Sequence, residues 1–194
     1  MRTPIWILSF FIIFISVQVS VVKIAFGTEQ ATTTAIPSET NLSPTIFATN
    51  EYQLPYPGVL PDSPLYLLKA TRDKLVSFLI SDPAKKAEFS LRESDKRLNA
   101  GLYLYQKKKY SLIVTTISKG ENYFEEAVGK VEEGKRQGQD VQYIIDKMVL
   151  SLEKHKQVID TLRDGMPKEY QSGLELLDKR AVSLQGKVSK LSPK

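Results

Sequence analysis

The sequence predicts an all-α fold. It reads as an up-down antiparallel bundle of about four long helices plus a short leading helix, preceded by an N-terminal apolar signal or anchor helix. Three observations carry this. Four successive stretches space small or apolar residues alternately three and four apart, the seam of helices packed nearly side by side. Breaks rich in turn-forming residues separate them, short enough to join antiparallel neighbours. A helix-opening device, an acid or Ser followed by Pro, occurs at Asp62-Ser63-Pro64 and again at Asp82-Pro83.

In chain order, the first element is an address. A free amine and Arg2 precede an uncharged run from Ile5 to Val22. As a helix that run is about 27 Å long, close to the thickness of a bilayer core. Ala25 and Gly27 then place small residues where a signal peptidase reads, with cleavage after Gly27. A signal peptide (1–27) and an uncleaved anchor (5–22) both fit. Either way, the charge bias predicts that the remainder lies outside the membrane. From 28 to 53 the chain is rich in Thr, Ser, Ala and Pro without an apolar period, which predicts an unstructured spacer.

Residues 54–194 carry the helical domain. Asp62 or Ser63 is the expected N-cap of the leading helix and Pro64 its first residue, with Leu65, Leu68, Leu75, Phe78 and Leu79 at helical spacing. Asp82-Pro83 stops that helix and starts the next, because the residue before a proline is pushed out of helical geometry. The second helix has its seam at Ala84, Ala87, Leu91, Ser94, Leu98, Gly101 and Tyr105. The third has Ile113, Ile117, Gly120, Phe124, Ala127 and Val131. The fourth runs from Val141 through Ile145, Met148, Leu152, His155, Ile159 and Leu162 to Met166. The fifth runs from Tyr170 through Leu174, Leu177, Ala181, Leu184 and Val188 to Leu191. Breaks fall at 107–111, 134–140 and 164–167. The small seam residues of the second helix predict close approach to a bulky neighbour.

Composition excludes several chemistries. With no Cys there is no disulfide framework, thiolate metal site, thiol nucleophile or lipidated N-terminal Cys. One His and no Glu-x-x-His pair exclude a di-iron bundle site, so neither metal nor cofactor is expected. His155, on the seam, reads as a core residue. The net charge of +5 is spread among acids, unlike a nucleic-acid footprint, and no nucleic-acid partner is expected. Lys107, Lys108 and Lys109 form the densest basic patch, suited to an anionic surface, although a solvated turn also explains them. Glu121, Glu125 and Glu132 could act as paired carboxylates, but they read first as a solvated flank of the third helix.

The stretches LPDSPLYLLKATRDKL and SDPAKKAEFSLRESDKRL resemble the bacterial domain-of-unknown-function family numbered 5667, over about Leu60 to Val131. The most specific parts are Asp62 to Tyr66 with Lys69, then Asp82-Pro83, then Arg97-Leu98. The resemblance implies a domain outside the membrane behind a signal or single span and a spacer, with no established activity. This chain departs from the pattern at Ala100, where relatives often carry an acid.

These readings converge on a non-enzymatic, exported helical-bundle interaction module of the bacterial cell envelope. The expected partner is a protein or envelope component, and the membrane is a further partner if the N-terminal segment is retained. Self-association through uncovered seam residues is also open. The alternative is an extracytoplasmic sensing domain acting through a separate membrane partner.

Overall fold

The computed structural model describes residues 52–192, within the compact unit Ile46–Lys194. The apolar run 5–22, the Ala25/Gly27 cleavage site and the spacer to residue 51 lie outside the described residues. Every regular element described is helical: α1 (Tyr66–Leu79), α2 (Pro83–Gln106), α3 (Tyr110–Arg136), α4 (Gln142–Gly165), a short 3-10 turn (Lys168–Tyr170) and α5 (Gln171–Leu191).

The second helix starts as its sequence dictates. Asp82 accepts a hydrogen bond from the Lys85 amide at 2.8 Å, and Pro83 takes the first helical position, where its missing N–H leaves nothing unpaired. That backbone bond holds the Asp82 carboxyl below the usual carboxylate range. The leading helix begins later than expected. Two tight turns, Ser63 N–H to Leu60 O and Tyr66 N–H to Ser63 O, carry the chain through Pro61 and Pro64, and Leu65 is the N-cap without a side-chain bond. Asp62 pairs instead with Lys107, 3.1 Å away, and the Ser63 hydroxyl accepts from the Leu65 amide at 3.3 Å, ahead of the helix.

Two helices end in one motif. At the end of α2, Lys109 N–H reaches Leu104 O and Lys108 N–H reaches Tyr105 O; at the end of α3, Gln139 N–H reaches Gly134 O and Gly138 N–H reaches Lys135 O. This double closure needs a left-handed residue at its centre. Gly138 supplies it at φ 75°, and Lys108 supplies it at φ 57° despite its side chain. The turns are therefore tighter than the sequence suggested, and α3 already begins at Tyr110.

Directions alternate along the chain. The pairs that pack are α2–α3, α4–α5, α3–α5 and α2–α4, closing a ring in the order α2, α3, α5, α4. Helices α3 and α4 thus face each other across a diagonal. The side-by-side pairs α2–α4 and α3–α5 run parallel: Ala84 meets Gln139 and Asp95 meets Ser151, while Ser118 meets Arg180 and Lys135 meets Leu191.

The α2–α3 approach is the closest, and small residues explain it. A Cβ on Gly101 would lie 2.8 Å from the Ile117 side chain, and one on Gly120 would lie 3.1 Å from Ser94 O. The predicted seam residues of α2 to α5 fill the interior in two apolar clusters. One gathers Leu91, Phe124, Met148 and Leu184; the other gathers Leu98, Ile117, Ile159 and Leu177. Between them, at mid-height, lies a polar layer formed by Ser94, Asp95, Glu121 and His155, all buried.

Candidate functional site

Helix α1 sits on this bundle the wrong way out for a soluble protein. Tyr66, Lys69, Ala70, Asp73, Ser77 and Ile80 recur three and four apart and form its less exposed stripe. Asp73 alone is buried, at 3 % exposure. Leu68, Leu75, Phe78 and Leu79, the residues at helical spacing, lie on the opposite side with Leu67, and Phe78 is 83 % exposed, while Leu65 and Val76 fall between the two sides. This orientation has a physical reason: the surface available to α1 is polar. Glu93 and Arg97 of α2 and Tyr123 of α3 lie there, with Arg97 hydrogen bonded to Glu93 at 3.0 Å and stacked 4.1 Å from the centre of the Tyr123 ring. Lys69 and Asp73 share that electrostatic neighbourhood. Burial pushes the Lys69 ammonium below the usual lysine range, and nearby acids oppose the shift. Burial likewise pushes the Glu93 carboxyl up, but Lys96 and Arg97 outweigh it and leave it below the usual range.

Contacts from outside its apolar face fix α1 in place. The Lys69 ammonium donates to Pro57 O at 2.9 Å, Lys86 donates to Ser77 O, and Asp62 pairs with Lys107. The segment from Tyr52 to Pro57 runs along α2. Tyr52 donates to Asp95 at 2.6 Å, Asn99 donates to Pro55 O at 2.9 Å, and Tyr56 meets Tyr103 edge-on. The spacer was expected to run through Gln53, yet Tyr52 is already held on the bundle by this strap. A cleft of about 540 Å³ opens beneath the C-terminal half of α1, walled by Tyr52, Val76, Ile80, Phe89 and Arg92.

Lys107, Lys108 and Lys109 are exposed, at the end of the bundle where α1 begins. Lys107 is committed to Asp62. The tyrosines around this tip divide: Tyr103 packs on Tyr56, whereas Tyr105, Tyr110 and Tyr170 cluster with one another.

The polar layer brings together residues that the sequence reading left apart. Asp95 accepts from Tyr52 through one oxygen and from Ser151, at 2.6 Å, through the other. His155 Nε2 lies 3.4 Å from Asp95 Oδ1 and 3.5 Å from Ser94 Oγ, while its Nδ1 has no partner. Both contacts fall on one ring nitrogen. A nucleophile relay needs the acid and the hydroxyl on opposite nitrogens, so this geometry ties α2 to α4 and does not prime Ser94. The one sequence signal for it was the spacing of Ser151 and His155, one helical turn apart on α4.

Glu121 corrects the reading of a solvated flank. It is 0 % exposed, whereas Glu125 and Glu132 lie on the surface and Glu125 pairs with Lys187. Neither Glu121 oxygen is hydrogen bonded. Arg180, 3.4 Å away through Nε, spends its other nitrogens on Ser118 and Asn122. Burial therefore prevails over the nearby charge and pushes the Glu121 carboxyl up to about 8. The three glutamates do not form a paired-carboxylate site.

Fold and surface together define a four-helix bundle carrying an outward-facing amphipathic helix. Residues 58–169 match the family described as Domain of unknown function (DUF5667), and the chain belongs to that family. No curated protein and no solved structure matches it. The motif residues now have places: Asp62 and Lys69 anchor α1, Asp82-Pro83 starts α2, Arg97 lies beneath α1, and Leu98 is in the core. Among the described residues, no helix is long and apolar enough to cross a membrane.

Proposed function

We propose that this chain is a non-enzymatic interaction module of the bacterial cell envelope, exported by its N-terminal segment and working through the outer face of α1. One observation carries the reading: a whole apolar helix face stands in solvent while the polar face of the same helix is turned to the protein. A contiguous exposed apolar patch of this kind marks an interaction surface. The alternation of Leu67, Leu68, Leu75, Phe78 and Leu79 gives it the form of a recognition helix.

The test is fractionation of the native cells with intact-mass measurement of the chain in each fraction. A photo-crosslinker at Leu75 is compared with one at Glu175, exposed on α5. Recovery outside the cytoplasm with adducts from position 75 alone is expected. Recovery in the cytoplasm, or adducts from both positions equally, overturns the reading.

A further inference from the structure

The occupant of the α1 face follows from its charge pattern. On a helical wheel, Leu67, Leu68, Leu75, Phe78 and Leu79 fall within about 120° of one another, with Thr71 as the only polar residue among them. Lys74 borders this sector on one side and Arg72 on the other, and both are exposed. The only carboxylate between Ser63 and Ser81 is Asp73, which is buried and bonded to Arg72 at 2.8 Å. The helix thus shows a large apolar sector edged by cations and offers no acid to the outside. At its N-terminal end stand Lys108 and Lys109, also exposed.

Resting on the interaction-module reading above, we propose that α1 lies in the headgroup region of an anionic lipid bilayer, its apolar sector buried and its flanking cations on lipid phosphates. An amphipathic helix with Leu and Phe on one side and Lys or Arg at the borders is built for that plane, where its apolar face sinks about 5–10 Å. Cations at the borders reach the headgroups while their stems cover apolar surface. A second copy of the chain fits less well. A two-fold contact would set each stripe against its own image and bring Lys74 and Arg72 of one copy toward those of the other. Arg72 is already paired with Asp73, but no acid on the face would neutralise Lys74. An anionic surface supplies the missing charge continuously along both borders.

The full chain offers a clean test because it has no Cys. A single Cys placed at Leu75, or at Glu175 as control, takes an environment-sensitive fluorophore at one position only. Purified chain is mixed with vesicles of phosphatidylcholine alone or with phosphatidylglycerol added, some carrying a lipid-attached quencher. Attachment through the N-terminal run would affect both labels alike, so only the difference between positions is read. A blue shift and quenching at position 75, absent at 175 and dependent on phosphatidylglycerol, is the expected result. Lys74→Gln with Lys109→Gln should weaken this response about twenty-five-fold, two positive charges removed at roughly a factor of five each.

A label at 75 that stays in water on both vesicles overturns the proposal. So does equal burial on neutral vesicles, which removes the role of charge, and so does a shift that appears without lipid and grows with protein concentration, which assigns the face to a second copy. Each of these leaves the interaction-module reading standing, because that reading fails only by recovery in the cytoplasm or by equal crosslinking from positions 75 and 175.

Discussion

Glu121→Gln should make the protein more stable at neutral pH, against the usual trend for a buried substitution. Gln has the shape of a protonated Glu and cannot ionise. In the folded chain burial raises the Glu121 carboxyl to about 8 from an ordinary value of 4.5. The sign follows from linkage: the folded state holds a proton that the unfolded state has released. The stability is therefore fully present below pH 4.5 and declines as pH rises toward 8. At pH 7 the difference spans two and a half pH units at about 1.4 kcal/mol each, or roughly 3–4 kcal/mol. The side chain is 0 % exposed, so solvent screens the effect little. Urea unfolding followed by circular dichroism would measure it. The variant should exceed the parent by roughly 3–4 kcal/mol at pH 7, by more near pH 8, and by nothing below pH 4.5. A variant no more stable than the parent at pH 7 would show that Arg180 keeps the carboxylate ionised and paired, and would refute the argument.

Other substitutions read the same frame. Lys108→Gly should stabilise by about 1 kcal/mol and Gly138→Ala should destabilise by a similar amount, because both positions are left-handed and only Gly adopts that conformation freely; thermal unfolding of both would show the opposite signs. Tyr52→Phe removes a hydrogen bond to a buried carboxylate and should lower stability by about 2 kcal/mol in urea unfolding. Gly101→Val drives a side chain into Ile117 and should lower stability by roughly 1–3 kcal/mol, measured the same way, if the α2–α3 spacing is as close as described. Glu93 sets the acid side of the pH profile. Its depressed carboxyl contributes stability present above the ordinary glutamate range and lost as pH falls below it, so Glu93→Gln should flatten the acid limb of a stability–pH curve.

The seam residues were legible because packing of long helices imposes a period, and Leu98, Ile117, Met148 and Leu184 obey it and are buried. The turns were legible where glycine marks them, as at Gly138, but not at Lys108, where tertiary packing imposes a left-handed lysine. Periodicity tells two faces of a helix apart without saying which one meets the protein. The spacing of the α1 leucines therefore gave the helix but not the outward direction of its apolar face. Glu121 was misread because a run of glutamates with nearby lysines has the pattern of a wet flank. The missed signal is its position: it follows Gly120 and lies one turn after Ile117, inside the stripe that a bundle wider than a two-stranded seam must bury. Beyond the spacing of Ser151 and His155, the Asp95 cluster left no mark in the sequence, since its members come from three separate parts of the chain.

The ring order of the helices bears on how the domain assembles. Helices α2 and α3 are joined by the three residues 107–109, so their contacts are close in sequence and quick to form. The parallel contacts that complete the ring join residues 55 to 62 positions apart, as in Gln139 with Ala84 and Arg180 with Ser118. Two hairpins must exist as partners before either parallel seam can close. The domain should accordingly behave in folding as an intramolecular dimer of hairpins, whose docking is the slow step. A chain nicked between Gln137 and Val141 would turn that step bimolecular. The two halves should then regain helicity together at a rate proportional to their concentration, and a rate indifferent to concentration would exclude docking as the barrier.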